Sequence, residues 1–491
     1  MISFILSLVA LVLGYFIYGK FVEKVFGPDD RPTPAVAKAD GVDFIAMPNW
    51  KVFMIQFLNI AGTGPIFGAI LGAKFGPVAY LWIVFGCIFA GAVHDYMCGM
   101  LSIRHGGANL PDLVGVYLGS KTQKVMLVFS VLLLMMVGVV FVYSPAEILT
   151  HIWEPKAISS FLGHNTFWIA LIFIYYIFAT MLPVDKIIGR IYPLFAFSLL
   201  FMAVALMIAL FVKMPALPEV WDGLSNRGAE TLGFTDAVFP CLFITIACGA
   251  ISGFHATQSP LMARCVKDER MARPIFYGAM ITEGIVALIW ATVAMYFFYN
   301  DPTPGYQLME AAKDSGAHTS APRVVSIVCN DWLGLFGGIL ALLGVVAAPI
   351  TSGDTAFRSA RLIIADFLHF EQHSIRRRLM ICIPMFAAGI CMLMWQMADA
   401  DGFQKIWSWF GWSNQTLSVF TLWTATVYLV QSKKPFWMTL IPALFMTVVC
   451  STFLLISKQA FGLSPAISYT GSIVVLLIAT AWFFTWVRKR C

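Results

Sequence analysis

The sequence predicts an all-α integral membrane protein with about thirteen transmembrane helices. Of its 491 residues, 59% are hydrophobic and only 12% are charged, whereas soluble domains carry about 25% charged residues. Apolar segments of about 20 residues, the length that crosses a bilayer, recur along the whole chain. Helix-breaking motifs interrupt two of these segments. No polar stretch is long enough to form a second, soluble domain.

The candidate spans, in chain order, are 2–18, 50–73, 77–101, 124–147, 166–183, 190–213, 235–257, 274–299, 333–353, 379–397, 406–430, 436–457 and 466–487. The connecting loops are short, apart from 20–49, 214–234, 300–332 and 354–378. No basic residue precedes the first apolar run and no small-x-small cleavage site follows it, so we expect a retained helix rather than a signal peptide.

The distribution of basic residues predicts the orientation. With the N-terminus outside, the cytoplasmic segments hold 24 of the 32 Lys and Arg residues and the outer segments hold 8. This split follows the positive-inside rule and predicts an odd number of spans with a cytoplasmic C-terminus. The basic residues that give the net charge of +6 cluster at helix ends. We therefore expect no nucleic-acid partner.

The ten cysteines are scattered through apolar segments. There is no Cys-x-x-Cys pair and no His/Cys cluster with metal-ligand spacing. From the sequence we therefore expect neither a disulfide framework nor a structural metal site, and no cofactor other than a transported proton or Na⁺.

The first helix break lies in span 50–73, at Ala61-Gly62-Thr63-Gly64-Pro65. Glycine and proline interrupt the helical hydrogen bonds, and the freed backbone groups must face protein or a water-filled cavity. The second half-helix would present N–H groups to an anion such as a carboxylate, while the carbonyls of the first half, with Ala61, would suit a cation. A kink used only for helix packing is the alternative. We expect Asn59, one turn earlier, to line the same cavity or to join helices.

The second break lies in span 235–257, at Cys248-Gly249-Ala250-Ile251-Ser252-Gly253, and is followed by further polar residues. The candidate substrate-binding residues here are Gly249, Ser252, His255 and Gln258. A buried histidine titrates near neutral pH and can bind substrate or a proton; a neutral His bonded to a carbonyl is the alternative.

An internal repeat links the two breaks. Residues 57–62 can be laid over residues 243–248, an offset of 186, and the two spans run in opposite directions. Five spans separate one start from the next. Two inverted five-helix repeats with broken first helices describe the LeuT-like amino acid/polyamine/cation architecture. The predicted division is an N-terminal helix and loop (1–48), a first repeat (49–213), an inverted second repeat (235–430) and two further helices with a short tail (436–491).

Ionisable and hydroxyl residues within spans are candidates for ion coupling. In LeuT-like carriers the eighth core helix supplies hydroxyl ligands for sodium, which places Thr351 and Ser352 in that role. Asp354 follows, although an i,i+4 ion pair with Arg358 is the favoured alternative. Glu283 lies deep in its span and suits a proton carrier, or makes a structural hydrogen bond. We expect His94-Asp95 to lie near the interface.

Five stretches of the chain resemble the carbon starvation protein A family. They are Phe57 to Pro77, Gly91 to Tyr96, Ile246 to His255, Ala348 to Arg361 and Ser413 to Gln415. The resemblance implies a bacterial inner-membrane transporter linked to nutrient scavenging, with relatives that take up peptides or pyruvate with protons. The chain departs from longer members in its number of spans and in residues 256–260, which puts the substrate in question.

We therefore expect a secondary active importer of peptides or small carboxylates such as pyruvate. Substrate would bind between the breaks, at Asn59, Gly62, Thr63 and Gly64 and the second-break residues, and a proton or sodium gradient would drive uptake. No Gly-x4-Gly-Lys-Ser/Thr, His-Glu-x-x-His or Gly-x-Gly-Asp motif occurs, which argues against an ATPase or an intramembrane protease. An uncoupled channel or a nutrient sensor is the alternative. The sequence predicts no oligomeric state.

Overall fold

Helices joined by short turns make up the described part of the chain in a computed structural model. The structure describes the whole chain except 42, 154–163, 182–183, 233–235, 301–320, 371–374, 400–401 and 490–491. Two expected boundaries, residue 235 and residue 183, lie outside the described residues.

The first half of the chain contains α1 to α11. Their bounds are α1 Ile2–Phe16, α2 Tyr18–Phe26, α3 Pro34–Ala37, α4 Asn49–Ile60, α5 Ala69–Gly72, α6 Val78–Gly86, α7 Ala92–Arg104, α8 Leu110–Leu118, α9 Ser120–Trp153, α10 Asn165–Met181 and α11 Val184–Lys213. A π-helical turn at Gly64–Gly68 precedes α5, and another at Cys87–Gly91 joins α6 to α7. A 3-10 turn, Ala73–Phe75, follows α5.

The second half contains α12 to α20. Their bounds are α12 Arg227–Thr231, α13 Val238–Thr245, α14 His255–Ala263, α15 Gly278–Tyr299, α16 Ala321–Phe367, α17 Ile375–Ala398, α18 Gly402–Gln431, α19 Trp437–Ile456 and α20 Pro465–Arg488. A π-helical turn, Arg273–Tyr277, leads into α15.

The protein is a multi-pass membrane protein. Among the described residues, eight helices are long and apolar enough to cross a bilayer, and the bent pair Asn49–Ile60 and Gly64–Phe75 makes a ninth. The shorter apolar helix Asn165–Thr180 adds a further segment of this kind. The sequence-based total of thirteen and the inside–outside orientation stay predictions.

Several sequence-based boundaries are wrong in the structure. The expected loop 354–378 is helical as far as Phe367, because α16 continues through the polar residues after Thr351. Within α16 the chain departs from helical geometry at Gly334, whose φ is 62°. The seventh span also does not end at 257, since its second half-helix runs to Ala263 with Pro260 inside it.

One large hydrophobic core unites these helices. The long helix α16 packs against both α9 and α11, and α14 packs against α4 and α7. At one side α19 packs on α18 and α13, and α20 packs on α19. The helix α20 is mostly exposed within the chain, with apolar residues such as Leu477 and Trp482 outward, as suits a surface in contact with lipid.

Candidate functional site

The first break is a short, sharp corner. Helix α4 ends at Ile60, residues 61–63 are not helical, and the chain resumes at Gly64 after a bend of 52°. Pro65 has no N–H to donate, so it fits the first turn of the new helical segment. The residues from Ala61 to Gly64 are all buried, which places the freed backbone groups inside the protein.

The second break is longer. Helix α13 ends at Thr245, and the next helix begins at His255, so residues 246–254 are not helical. Gly249 has φ of 99°, a left-handed conformation that only glycine adopts at little cost. The break therefore spans nine residues, more than the six-residue motif that predicted it.

Asn414 on α18 holds the second break in place. Its side-chain oxygen accepts hydrogen bonds from the Phe254 N–H at 2.6 Å and from the Ser252 hydroxyl at 3.1 Å. The Gly253 N–H donates to the backbone carbonyl of Asn414 at 3.1 Å. These bonds satisfy N–H groups that the break frees from helical pairing, as buried donors require.

The two breaks meet in the structure. A Cβ atom added at Gly64 would overlap Cβ and Sγ of Cys248, and one added at Gly249 would lie 3.9 Å from the Pro65 Cα. Glycine at position 64 therefore allows the two chain segments to touch. A narrow crevice lies at this contact, and it is lined by Gly64, Ile244, Thr245, Ala247, Cys248, Trp407, Phe410 and Gly411.

Four ionisable side chains form a buried chain beside the second break. Asp95 lies between two histidines, with its Oδ1 2.7 Å from Nδ1 of His94 and its Oδ2 2.8 Å from Nδ1 of His255. Nε2 of His255 lies 3.4 Å from Oε2 of Glu283. All four side chains are fully buried. The expectation that His94-Asp95 lies at the interface is therefore wrong, because α7 carries both residues into the core.

Close helix packing brings these groups together. A Cβ at Gly91 would overlap the Ala250 carbonyl oxygen, so α7 approaches the second break at its backbone. Gly284 likewise faces the Gly249 carbonyl oxygen, 3.4 Å from its added Cβ. The small residues let the helices that carry Asp95 and Glu283 lie directly against the break, as small residues do at membrane helix interfaces.

The hydroxyl residues of α16 form a separate polar cluster. The Ser352 hydroxyl donates to the Leu58 carbonyl at 3.0 Å, in the last turn of α4 before the first break. The Thr351 hydroxyl instead bonds to carbonyls of its own helix, at Ala347 and Ala348. Only one of the two expected sodium ligands thus reaches the first break.

Asp354 is paired with a phenol. The Tyr192 hydroxyl donates to Oδ2 of Asp354 at 2.5 Å, while Oδ1 of this buried carboxyl group has no hydrogen-bond partner. Arg358 donates to the Ala179 carbonyl at 2.5 Å. The favoured i,i+4 ion pair is therefore wrong, since these two described side chains take other partners.

The remaining predicted residues differ in their surroundings. Both polar atoms of the Asn59 side chain and the Thr63 hydroxyl are buried without a hydrogen-bond partner, so they are free for a ligand. The Gln258 amide nitrogen donates to Thr257 and Ser359, which directs it towards α16. A Cβ at Gly62 would lie 3.1 Å from the Ser352 hydroxyl.

The sequence interpretation missed four residues of the assembled site: Asp95, Asn414, Cys248 and Tyr192. Asp95 could have been found, because an ionisable residue inside a span is a functional candidate by default. Asn414 lies in the family-resembling stretch Ser413 to Gln415, but its partners Ser252 and Phe254 are distant in sequence. Cys248 belongs to the break motif but nothing local marks its thiol as a ligand, and nothing local distinguishes Tyr192 from other residues of apolar helices.

Comparison with known proteins identifies the family of the chain, two relatives with named transport functions and a solved structure with the same fold. The sequence profile of the family described as "Carbon starvation protein CstA" matches residues 1–159, 136–327 and 317–453. The "Peptide transporter CstA" of Bacillus subtilis is 28% identical, with 90% of this chain and 88% of the relative aligned. The "Pyruvate/proton symporter BtsT" of Escherichia coli is 25% identical, over 94% and 81% of the two chains. A crystal structure of a mutant manganese transporter from Eremococcus coleocola has the same fold, with a TM-score of 0.59, 12% identity and coverage of 92% and 99%.

Proposed function

The chain belongs to the carbon starvation protein CstA family, and on that premise we propose that it is a secondary active importer of a small carboxylate or short peptide. Substrate binds where the two helix breaks meet, and a cation gradient drives uptake. One observation carries the proposal: Gly64 of the first break is in direct contact with Cys248 of the second. Two broken helices facing each other form the binding site of LeuT-like carriers.

Unpaired polar atoms at the first break support substrate binding there. Asn59 and Thr63 are fully buried, and their side-chain polar atoms lack partners. An unmade buried hydrogen bond costs about 1–3 kcal/mol, which a ligand carbonyl, carboxylate or amide would recover. The Ile66 and Phe67 N–H groups donate to the Thr63 carbonyl and Pro65 has no N–H, so the side chains of Asn59 and Thr63, rather than backbone N–H groups, support substrate binding here. We include Gly62, Gly249, Ser252, His255 and Gln258 in the proposed substrate region.

The crevice between the breaks has room for about one water molecule in this conformation. Either substrate class therefore requires the two breaks to move apart. The names of the relatives include both substrate classes, so both belong in the test.

For the coupling cation we propose a proton on Asp354. Its carboxyl group is fully buried, accepts one bond from a neutral phenol and keeps Oδ1 free for a proton. Ser352 links the same helix to the carbonyls before the first break, so a change at Asp354 has a direct path to the substrate site. A sodium ion held by Ala61, Thr351 and Ser352, or a proton on Glu283, is the competing arrangement.

Uptake into proteoliposomes tests the proposal. The purified full chain is reconstituted, and labelled pyruvate, a dipeptide and a tripeptide are compared under imposed proton and sodium gradients. We expect saturable, proton-driven accumulation that the Asp354→Asn variant loses while keeping substrate exchange at equal concentrations. Non-saturable flux without dependence on either gradient would instead establish a channel. Loss of exchange together with accumulation would remove Asp354 from a coupling role.

A further inference from the structure

We propose that Cys248, His255 and Glu283 bind a divalent transition-metal ion of the Zn²⁺ type. One ligand atom from each residue lies within 4.8 Å of the others, and all three side chains are buried. Tetrahedral zinc with bonds of about 2.0–2.3 Å holds neighbouring ligand atoms roughly 3.3–3.8 Å apart. Since the ligands lie on the second break, on α14 and on α15, no local sequence spacing signals the site.

The distance between His255 and Glu283 suits two ligands of one ion. Their Nε2 and Oε2 atoms are 3.4 Å apart, beyond the 2.7–3.2 Å range of an ordinary N–H···O bond. Nε2 of His255 and both carboxylate oxygens of Glu283 are buried without a hydrogen-bond partner. These three atoms, Nε2 of His255 and the two carboxylate oxygens of Glu283, are therefore available to one metal ion between the two side chains.

Asp95 prepares His255 for metal binding. Its Oδ2 accepts the Nδ1 hydrogen bond of His255 at 2.8 Å, so Nε2 is the ring nitrogen available to a metal ion. A carboxylate on the far nitrogen is the usual partner of a metal-bound histidine, because it fixes the tautomer and the ring orientation. We place Asp95 as a positioning residue, held in turn by His94 at 2.7 Å.

Asn414 is the positioning residue for the sulfur atom of Cys248. Its side-chain oxygen is occupied by the Phe254 N–H and the Ser252 hydroxyl, so its amide nitrogen points to Cys248, 3.7 Å from Sγ. Cysteine binds metals as the thiolate, and a metal-bound sulfur can accept this N–H hydrogen bond. One thiolate and one carboxylate together neutralise a dication, which removes the cost of burying unpaired charge.

The chemistry of the ligand set selects the ion. Thiolate and imidazole ligands favour zinc-type ions over Mg²⁺, Ca²⁺ and Mn²⁺, which prefer oxygen. Three protein ligands leave the fourth position of a tetrahedral ion open to water or to a substrate carboxylate. The proposal goes beyond transport: metal binding is measured without any flux, so its failure leaves the transport proposal standing.

Cobalt substitution tests the site directly. The full chain, purified in detergent and freed of metal with a chelator, is titrated with Co²⁺ and then with Zn²⁺. We expect one Co²⁺ per chain, a thiolate-to-cobalt charge-transfer band, and displacement by Zn²⁺ but not by Mg²⁺. Cys248→Ser should abolish the band. Cys265→Ser is the matched control, because Cys265 is buried in the same way and bonds to the Leu261 carbonyl.

Two further variants separate ligands from positioning residues. Glu283→Gln should weaken binding while keeping the thiolate band, and Asp95→Asn should lower the affinity about 10–100-fold with the band unchanged. Absence of the band in the unmodified protein, or its persistence in Cys248→Ser, overturns the proposal. If Cys248→Ser does not fold, zinc-edge X-ray absorption of the unmodified protein decides: one sulfur neighbour supports the site, and oxygen or nitrogen neighbours alone refute it.

Discussion

The two helix breaks differ in length and in what holds them. The first comprises residues 61–63 and meets the second through side-chain atoms of Cys248, whereas the second comprises residues 246–254 and docks on the backbone of α18. The first carries uncharged polar groups without partners; the second lies beside four buried ionisable groups. In the proposed function both breaks contact the substrate, and the long break differs in that it also lies against buried ionisable side chains.

The largest expected effect comes from Gly253→Ala. Its Cβ would overlap the Asn414 carbonyl oxygen and lie 2.5 Å from the Ser418 nitrogen. Because both are backbone atoms of α18, neither can move aside, and we expect destabilisation of about 3 kcal/mol with loss of folded protein. Thermal unfolding in detergent measures it. Gly411→Ala, also on α18 but with Cβ 3.4 Å from its nearest neighbours, should unfold like the unmodified chain; equal midpoints for both variants would contradict backbone docking.

Gly64→Ala should have the next largest effect. The added methyl group overlaps the side chain of Cys248, and overpacking of this kind costs about 1–3 kcal/mol. Since the obstacle is a side chain, Cys248→Gly in the same molecule should restore part of the lost stability. Thermal unfolding of the single and double variants checks this. A double variant whose destabilisation equals the sum of the two singles would show that the breaks do not touch.

Asn414→Ala tests what holds the long break. It leaves the Phe254 N–H and the Ser252 hydroxyl without their acceptor, so we expect a loss of about 1–3 kcal/mol in the free energy of unfolding. Gln415→Ala is the neighbouring control, because it removes only a donor to the Phe243 carbonyl at 2.7 Å, and buried carbonyls tolerate a lost bond better than N–H groups. Equal effects would argue against a specific role for Asn414.

The smallest effect is expected from Ser352→Ala at the short break. It removes one hydrogen bond to the Leu58 carbonyl, worth about 1 kcal/mol. Thr351→Val should change the melting midpoint less, because the Thr351 hydroxyl bonds only within its own helix. Uptake should stay proton-driven in both variants. A selective loss of sodium-driven uptake in Ser352→Ala would transfer the coupling role to sodium.

Much of the fold follows from local sequence. Runs of about 20 apolar residues mark spans because the bilayer core has a fixed thickness. Gly62 and Gly64 mark a break because glycine weakens a helix, and Pro65 does so because it cannot donate a hydrogen bond to the preceding turn. Boundaries are less predictable: α16 continues to Phe367 through a polar stretch that resembles a loop. Its Thr355, Arg358 and Ser359 are buried, and tertiary burial rather than hydropathy keeps that stretch helical.

What the sequence by itself determined was the membrane class, the positions of both breaks and the family, since each depends on composition or on contiguous motifs. Only the tertiary structure decided that Asp95 bridges two histidines, that Asn414 holds the second break and that Cys248, His255 and Glu283 converge. The physical reason is distance along the chain. Asp95 and His255 are 160 residues apart, and only close packing at Gly91 and Gly284 brings such residues within bonding range.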